Sequence, residues 1–155
     1  MSVELARVDE RLVHGQIMTA WVRRFWIQRI VLVDDEIARD EFMKQLLAMS
    51  APAGVTVEAR SVADTAEILK TESGEKTMLL FKEIGGALAL VEQGYDLKEL
   101  NIGNIGSTPA RKAITREVYV SQEEKEMLRR LQAAGVESYI QKLPQDSRVD
   151  IMSKI

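Results

Sequence analysis

One ten-residue segment concentrates the side chains that could do chemistry. It runs from Arg7 to Gln16 and holds two arginines, two acids and the only histidine of the chain. Histidine is the one side chain whose ordinary pKa leaves it unprotonated, and therefore nucleophilic, near neutral pH. Its ring nitrogen can attack phosphorus and later pass the phosphoryl group on. His14 is therefore the first candidate for a catalytic residue.

The residues around His14 suit a phosphoryl group. Arg11 could neutralise phosphate oxygens through two parallel hydrogen bonds, and Asp9 could hold Arg11 in place or bond to a loop amide. A histidine just ahead of a helix lies near free backbone N–H groups and the positive end of the helix dipole. Gly15 would let the backbone approach the phosphate closely. The ordinary alternatives are a surface or capping histidine and an exposed Asp9–Arg11 ion pair of small energetic value.

This segment falls between a predicted strand and a predicted helix. Short apolar runs alternate with longer segments of helical period, which indicates an α/β domain with a mainly parallel sheet. The predicted strands are Val3–Val8, Arg29–Val33, Val55–Ala59, Thr77–Phe81, Leu100–Ile102, Glu117–Val120 and Ser138–Gln141. In a doubly wound sheet, ligands bind outside the carboxyl ends of the strands, where this segment would lie.

Apolar stripes and capping signals predict the helices. They are Gly15–Phe25, with Trp21 in the core; one that Asp34 or Asp35 caps and that contains Met43 and Leu47; one that Ser61 caps; and one that Ser121 and Glu124 open with a capping box. No composition shift, linker or repeat divides the chain. Residues 1–155 are therefore predicted to form a single doubly wound domain of about six or seven strands, with helices on both faces.

The composition narrows the functional class. The net charge is -3 and the pI about 5.3, which argues against a protein that binds nucleic acid through a basic face. Without cysteine and with one histidine, no zinc site is credible, and no cofactor is expected. We find no signal peptide and no apolar run long enough to span a bilayer. A cytoplasmic protein that reaches a membrane only by docking is the simplest interpretation.

The stretch RVDERLVHGQI resembles the R-[IV]-D-x-R-L-[IVL]-H-G-Q-[IV] pattern at the start of IIB proteins in the mannose/fructose/sorbose family of the bacterial phosphotransferase system. Further stretches along the chain, IVLVDD, LLFK, LNIGNIG and GVESYIQKLPQD, resemble landmarks of the same family. The resemblance implies that residues 1–155 are one IIB domain. It also implies that His14 is the phosphohistidine, modified at Nδ1, with Arg11 as the phosphate-stabilising cation and Asp9 as the organiser of the loop.

The resemblance further implies a direction of transfer. A cytoplasmic IIA protein would phosphorylate the histidine, and the phosphoryl group would pass to a sugar carried by the membrane subunits IIC and IID. The chain would then be a protein-phosphohistidine–sugar phosphotransferase at the inner face of the membrane. A start at Met1 without a preceding linker suggests that IIA is a separate chain. The alternative is a regulatory docking module of the same fold, which is disfavoured because such a module would lose His14 or Arg11.

The most glycine-rich passage is Asn101–Pro109, directly after a predicted strand. It lacks the lysine and spacing of a P-loop and lies too far from the first strand to be a Rossmann fingerprint. A nucleotide-binding enzyme is therefore disfavoured. The sequence Asn-Ile-Gly-Asn departs from the Asn-[IV]-Gly-Gly of many relatives, and it resembles the branch that handles N-acetylgalactosamine and related amino sugars.

Two further residue groups have both a functional and an ordinary interpretation. Phe81 and Lys82 close the fourth predicted strand, on the sheet edge expected to carry His14. Lys82 could meet the phosphate or an acidic partner and Phe81 could pack against that partner, but we favour a core aromatic and a solvated lysine. The acids 34–36 could suggest magnesium, but helix-capping acids after a strand are favoured.

Overall fold

Seven strands form one sheet in the computed structural model, which describes residues 2–13, 15–71 and 74–155. They are β1 (Ser2–Asp9), β2 (Arg29–Val33), β3 (Thr56–Arg60), β4 (Lys76–Phe81), β5 (Glu99–Asn104), β8 (Glu137–Ile140) and β9 (Val149–Asp150). Their spatial order is β3-β2-β4-β1-β5-β8-β9. Every neighbouring pair is parallel except β8 and β9. The predicted mainly parallel sheet is confirmed.

Helices cover both faces of this sheet. They are α1 (Gly15–Phe25), α2 (Asp35–Ala38), α3 (Glu41–Met49), α4 (Val62–Ile68), α5 (Ile84–Glu92) and α6 (Gln122–Ala133). The first three pack into one apolar cluster and the last three into another. Central strands such as β2 and β4 are apolar on both sides because both sides are covered. Among the described residues, no helix is long and apolar enough to cross a membrane.

The connections place β1 at the point where the strand order reverses. From β1 the chain moves through α1 to β2, on the far side of β4, whereas from β5 it moves through α6 to β8 on the other side. The loops that leave β1 and β5 therefore diverge and leave a crevice between them. In doubly wound sheets, this crevice at the carboxyl ends of the strands is where ligands bind.

Several predicted elements differ in detail. Glu117–Val120 is not a strand of the main sheet: its last two residues form β7 (Tyr119–Val120), which pairs with β6 (Lys112–Ala113) in a separate hairpin. The segment returns to the residue after β5, where Tyr119 N donates to Ile105 O at 2.9 Å and Val118 forms an isolated bridge with Ile105, so a single bridge takes the place of the predicted strand pairing. Helix α5 and strand β9 were not predicted.

The predicted helix after β2 is two helices. Asp34 caps the short α2 by accepting from Ile37 N, and Asp40 caps α3 by accepting from Met43 N. Asp35 instead accepts from Val62 N at 2.8 Å and so ties α2 to α4. The capping interpretation of these acids is confirmed for Asp34.

The start of α6 has the predicted capping box. Glu124 N donates to Ser121 Oγ at 3.1 Å, and Ser121 N donates to Glu124 Oε1 at 3.0 Å. Arg111 adds two hydrogen bonds of 2.9 Å to the same carboxylate. Burial raises the pKa of Glu124, but the bonds from Arg111 and Ser121 outweigh it, so this pKa lies below its ordinary value.

Replacement of Glu124 by glutamine should remove a contribution to the free energy of unfolding that depends on pH. Glutamine keeps the capping box but loses the ion pair, so we expect about 1–3 kcal/mol less free energy of unfolding at pH 7. Because the folded-state pKa is lowered, the contribution is lost as the pH falls below about 4. Urea unfolding at several pH values measures the difference. Glu126→Gln, in an exposed pair with Arg129, is the control, and a pH-independent difference would contradict the assignment.

Candidate functional site

The loop that leaves β1 lies in the crevice described above. Glu10 N donates to Asn104 O at 3.1 Å, so the loop starts against the end of β5. Leu12 N then donates to Asp9 O at 3.0 Å, and Leu12 has the left-handed φ of 62°. A leucine rarely adopts this conformation, and such strain is typical of functional loops.

His14 lies outside the described residues, but both of its neighbours are described. Val13 is buried in the cluster beneath α1, with 4% of its surface exposed. Gly15 has φ 77°, which favours glycine, and it is the first residue of α1. The first turn of α1 contains no acidic residue, so its positive dipole end is not neutralised from within the helix. The chain on either side of His14 is thus fixed at the edge of the sheet.

Asp9 holds the side chain and the backbone of Arg11. Its Oδ1 accepts from Arg11 N at 3.0 Å and from Arg11 Nε at 3.2 Å, while its Oδ2 accepts from Arg11 Nη2 at 3.2 Å. The side-chain contact is the two-pronged geometry in which a guanidinium binds a carboxylate best. The structure therefore brings the predicted residues Asp9 and Arg11 together, directly before the position of His14.

Arg11 keeps one side of its guanidinium open. Its side chain is 32% exposed, and its Nη1 has no hydrogen-bond partner among the residues that the structure describes. The hydrogen bond with Asp9 raises the pKa of Arg11, and the charges of Glu117 and Glu10 add to the effect although burial opposes it. Arg11 is thus a permanently charged, oriented cation with donors left to bind an anion.

Arg7 is a central residue of the site that sequence analysis missed. Its side chain is fully buried, and its Nη2 donates to Asp9 Oδ2 at 3.3 Å. Its Nη1 donates to the side chain of Asn101 and to Gln141 O, and its Nη2 also reaches Lys142 O at 3.3 Å. Burial lowers the pKa of Arg7, and the charge of Asp9 opposes that shift. One carboxylate therefore joins a buried arginine to an exposed one.

Gly103 and Trp21 both lie against the guanidinium of Arg7. A Cβ added to Gly103 would lie 2.1 Å from Arg7 Nη2, so only glycine fits beneath the guanidinium. The guanidinium carbon lies 5.1 Å from the ring centre of Trp21, within cation–π range. Trp21 Nε1 donates to Lys142 O at 3.0 Å, and Arg7 donates to this same carbonyl. The predicted core position of Trp21 is confirmed, at 2% exposure.

A second carboxylate lies close to this group. Glu117 accepts from Lys142 Nζ at 2.7 Å through Oε1. Its Oε2 is buried and has no hydrogen-bond partner among the described residues. Since the charge of Glu117 raises the pKa of Arg11, a second carboxylate besides Asp9 acts on that arginine.

The two residues predicted at the end of β4 differ in their exposure to solvent. Phe81 has no exposed surface and lies in the core cluster beneath α5. Its interpretation as a partner contact is therefore wrong, because a side chain without surface cannot meet another protein. Lys82 is exposed and makes no ion pair with any carboxylate that the structure describes. Because β4 and β1 are parallel neighbours, Lys82 lies at the sheet edge from which the loop of His14 leaves.

Comparison with known proteins agrees with this geometry. The family model described as "PTS system sorbose subfamily IIB component" matches residues 3–155. The chain is 34% identical over 154 residues to the fructose-specific EIIB component of Bacillus subtilis, covering 98% of this chain and 94% of that protein. It is also 34% identical to the mannose-specific EIIAB component of Escherichia coli, of which it spans 50%.

The fold is found among solved structures. The IIB domain of the sorbose permease from Klebsiella pneumoniae superposes with a TM-score of 0.94 at 31% identity. The superposition covers 99% of this chain and 96% of that domain. The sheet, the crevice and the loop are therefore those of a known domain type.

Removal of the buried guanidinium should strongly destabilise the protein. Arg7→Met leaves the side-chain oxygen of Asn101 without its donor and the buried Asp9 carboxylate without one of its two cations, so we expect a loss of about 3–5 kcal/mol in the free energy of unfolding. Arg129→Met is the matched control, since Arg129 is half exposed and its one ion pair with a described residue is to Glu126 on its own helix. It should change stability by less than about 0.5 kcal/mol. Urea unfolding of both variants tests the difference, and equal losses would refute it.

Proposed function

Because this chain belongs to the sorbose-subfamily IIB components of the phosphotransferase system, we propose that His14 is the residue that carries its phosphoryl group. Such components are phosphotransferases that accept a phosphoryl group from IIA and transfer it to sugar, and the chain is a phosphocarrier of this kind. The observation that carries the residue assignment is the Asp9 carboxylate that orients Arg11, three residues before the only histidine of the chain.

The reaction consists of two transfers at one nitrogen. In the first, the lone pair of His14 Nδ1 attacks phosphorus on the phosphohistidine of IIA, and the N–P bond of the donor breaks with its electrons returning to the donor imidazole. In the second, a sugar hydroxyl oxygen attacks phosphorus on His14. The hydroxyl proton is lost to solvent or base, and the His14 N–P bond breaks. Each step needs an in-line approach and stabilised phosphate oxygens more than it needs covalent help from the protein.

Arg11 supplies the positive charge for both steps. Its bonds to Asp9 fix the guanidinium plane, and the open Nη1 can donate to oxygens of the phosphoryl group. A cation fixed before the reaction need not reorganise when charge moves in the transition state. This arrangement supports the proposed roles of Arg11 as phosphate-stabilising cation and Asp9 as loop organiser.

The start of α1 supplies a second source of positive potential. The backbone N–H groups of the first turn have no partner within the helix, and no acidic side chain of that turn competes for them. Gly15 opens this turn in a left-handed conformation, which leaves the backbone accessible.

The partners we propose for this chain are those of its family, in which IIB components work with IIA and with the membrane subunits IIC and IID. The donor is a IIA protein and the acceptor is a sugar held by the membrane subunits IIC and IID, so the protein works at the inner face of the cell membrane by docking. Lys82 is an exposed cation at the same sheet edge, without an ion pair to any described carboxylate, and would meet an acidic rim of either partner. The amino-sugar resemblance rests on Asn104, whose backbone carbonyl binds Glu10 N; the identity of the sugar stays a prediction.

His14→Ala should abolish phosphorylation. Incubation with phosphoenolpyruvate, the general phosphotransferase proteins and a mannose-family IIA should add one acid-labile phosphate to the wild type and none to the variant. Intact mass measurement before and after acid treatment reads out both. The control omits IIA, and an unmodified wild type with competent partners would refute the proposal.

Arg11→Lys should slow the transfer without unfolding the protein. Lysine keeps the charge but cannot bind Asp9 and a phosphate through one planar group. We expect the first-order transfer rate from IIA to fall by about 10- to 100-fold, measured by rapid quenching and mass analysis. Arg129→Lys, on the surface of α6, should transfer at the wild-type rate. An unchanged rate in Arg11→Lys would remove Arg11 from the mechanism.

A further inference from the structure

The glycine-rich passage after β5 has no role in the steps above. Gly103 makes room for Arg7, as described. Gly106 makes room for another residue of the first loop: a Cβ added there would lie 2.2 Å from Glu10 Oε1 and 3.2 Å from Glu10 Cδ. The φ of Gly106 is not left-handed, in contrast to that of Gly15, so its backbone alone does not demand glycine. The Glu10 carboxylate occupies the space that any larger residue would need.

Arg111 closes the other side of this space. Its Nη1 donates to Gly106 O at 3.2 Å and lies 3.7 Å from Glu10 Oε2. Its Nε and Nη2 bind Glu124 at the start of α6, and its side chain is only 14% exposed. Arg111 therefore cannot move without breaking the hydrogen bonds that fix it to α6. The carboxylate of Glu10 lies between a glycine backbone and an anchored cation.

The backbone of Glu10 is fixed at the same place. Its N–H donates to Asn104 O at 3.1 Å, so backbone and side chain both contact the passage 104–106. Glu10 lies directly after Asp9 and four residues before His14. A shift of Glu10 would therefore move the segment that joins the phosphate-binding arginine to the end of β1.

We propose that Glu10 is a positioning residue, held by Gly106 and Arg111, that sets the geometry of the loop for phosphoryl transfer at His14. The inference rests on the proposed function, since it assigns a role in that reaction. Glu10 is 36% exposed and its ion pair is long, so the contact adds little to stability. Its effect lies in the placement of the loop, where a displacement of about 1 Å lowers a rate by about 100-fold.

The test compares two ways of removing the same contact. Gly106→Ala displaces the carboxylate and Glu10→Ala deletes it, so each should lower the maximal transfer rate from IIA by about 10- to 100-fold with an unchanged KM for IIA. The double variant should be no slower than the slower single variant, because both changes remove one contact. Glu10→Gln keeps the shape and an oxygen acceptor and should retain most of the rate. Gly85→Ala is the control, since its added Cβ meets nothing closer than Met127 at 3.8 Å.

A second measurement does not depend on phosphoryl transfer. His14 is the only histidine, so its imidazole NMR signals are assigned without ambiguity. Gly106→Ala and Glu10→Ala should both shift these signals, and Gly85→Ala should leave them in place. Unchanged signals and wild-type rates in the first two variants overturn the inference, as do rate losses that multiply in the double variant. If the His14 signals shift as expected in the two variants but the wild-type protein accepts no phosphate, the proposed function is refuted and the positioning contact stands.

Discussion

The fully buried guanidinium of Arg7 is the constraint on which the site depends. A buried cation without partners would destabilise the protein by several kcal/mol, so it needs acceptors inside the fold, although Nε has none among the described residues. The two Nη atoms find four: the side chains of Asn101 and Asp9 and the carbonyls of Gln141 and Lys142. These acceptors come from β1, β5 and the end of β8. The charge is therefore acceptable only when three neighbouring strands are paired in the observed register.

Charge alternates outward from this buried group. Arg7 binds Asp9, and Asp9 binds Arg11, which is the first of the three with substantial exposure, at 32%. A carboxylate with 4% of its side chain exposed would be unfavourable alone, and two cations compensate it. The orientation of the exposed arginine is thus determined by the packing of the sheet, and it does not depend on contacts that solvent or salt could weaken.

Structural features could be predicted from the sequence when the interacting residues are close together along the chain. Strands with unbroken apolar runs, such as β2 and β4, and helices with side-chain caps, such as α6, were predicted because their signals are local. Helix α5 was missed, and Glu83 before it makes no side-chain cap. In the site, Asp9 and Arg11 are two residues apart and were found together. Arg7 was not singled out, because its partner carbonyl at Gln141 lies 134 residues away, and Gly106 was noted only as part of the glycine-rich passage.

The position of Trp21 gives the protein an internal optical signal. Of the two tryptophans, Trp26 is 75% exposed in a left-handed turn, whereas Trp21 is 2% exposed. The indole of Trp21 contacts the guanidinium of Arg7 and donates to the carbonyl that Arg7 also binds. The excited indole of Trp21 is therefore in direct contact with Arg7, the buried member of the series Arg7, Asp9 and Arg11. In a variant that keeps Trp21 as its only tryptophan, fluorescence emission would report the state of Arg7, Asp9 and Arg11 from beneath the loop. No label would be needed on the surface where partners dock.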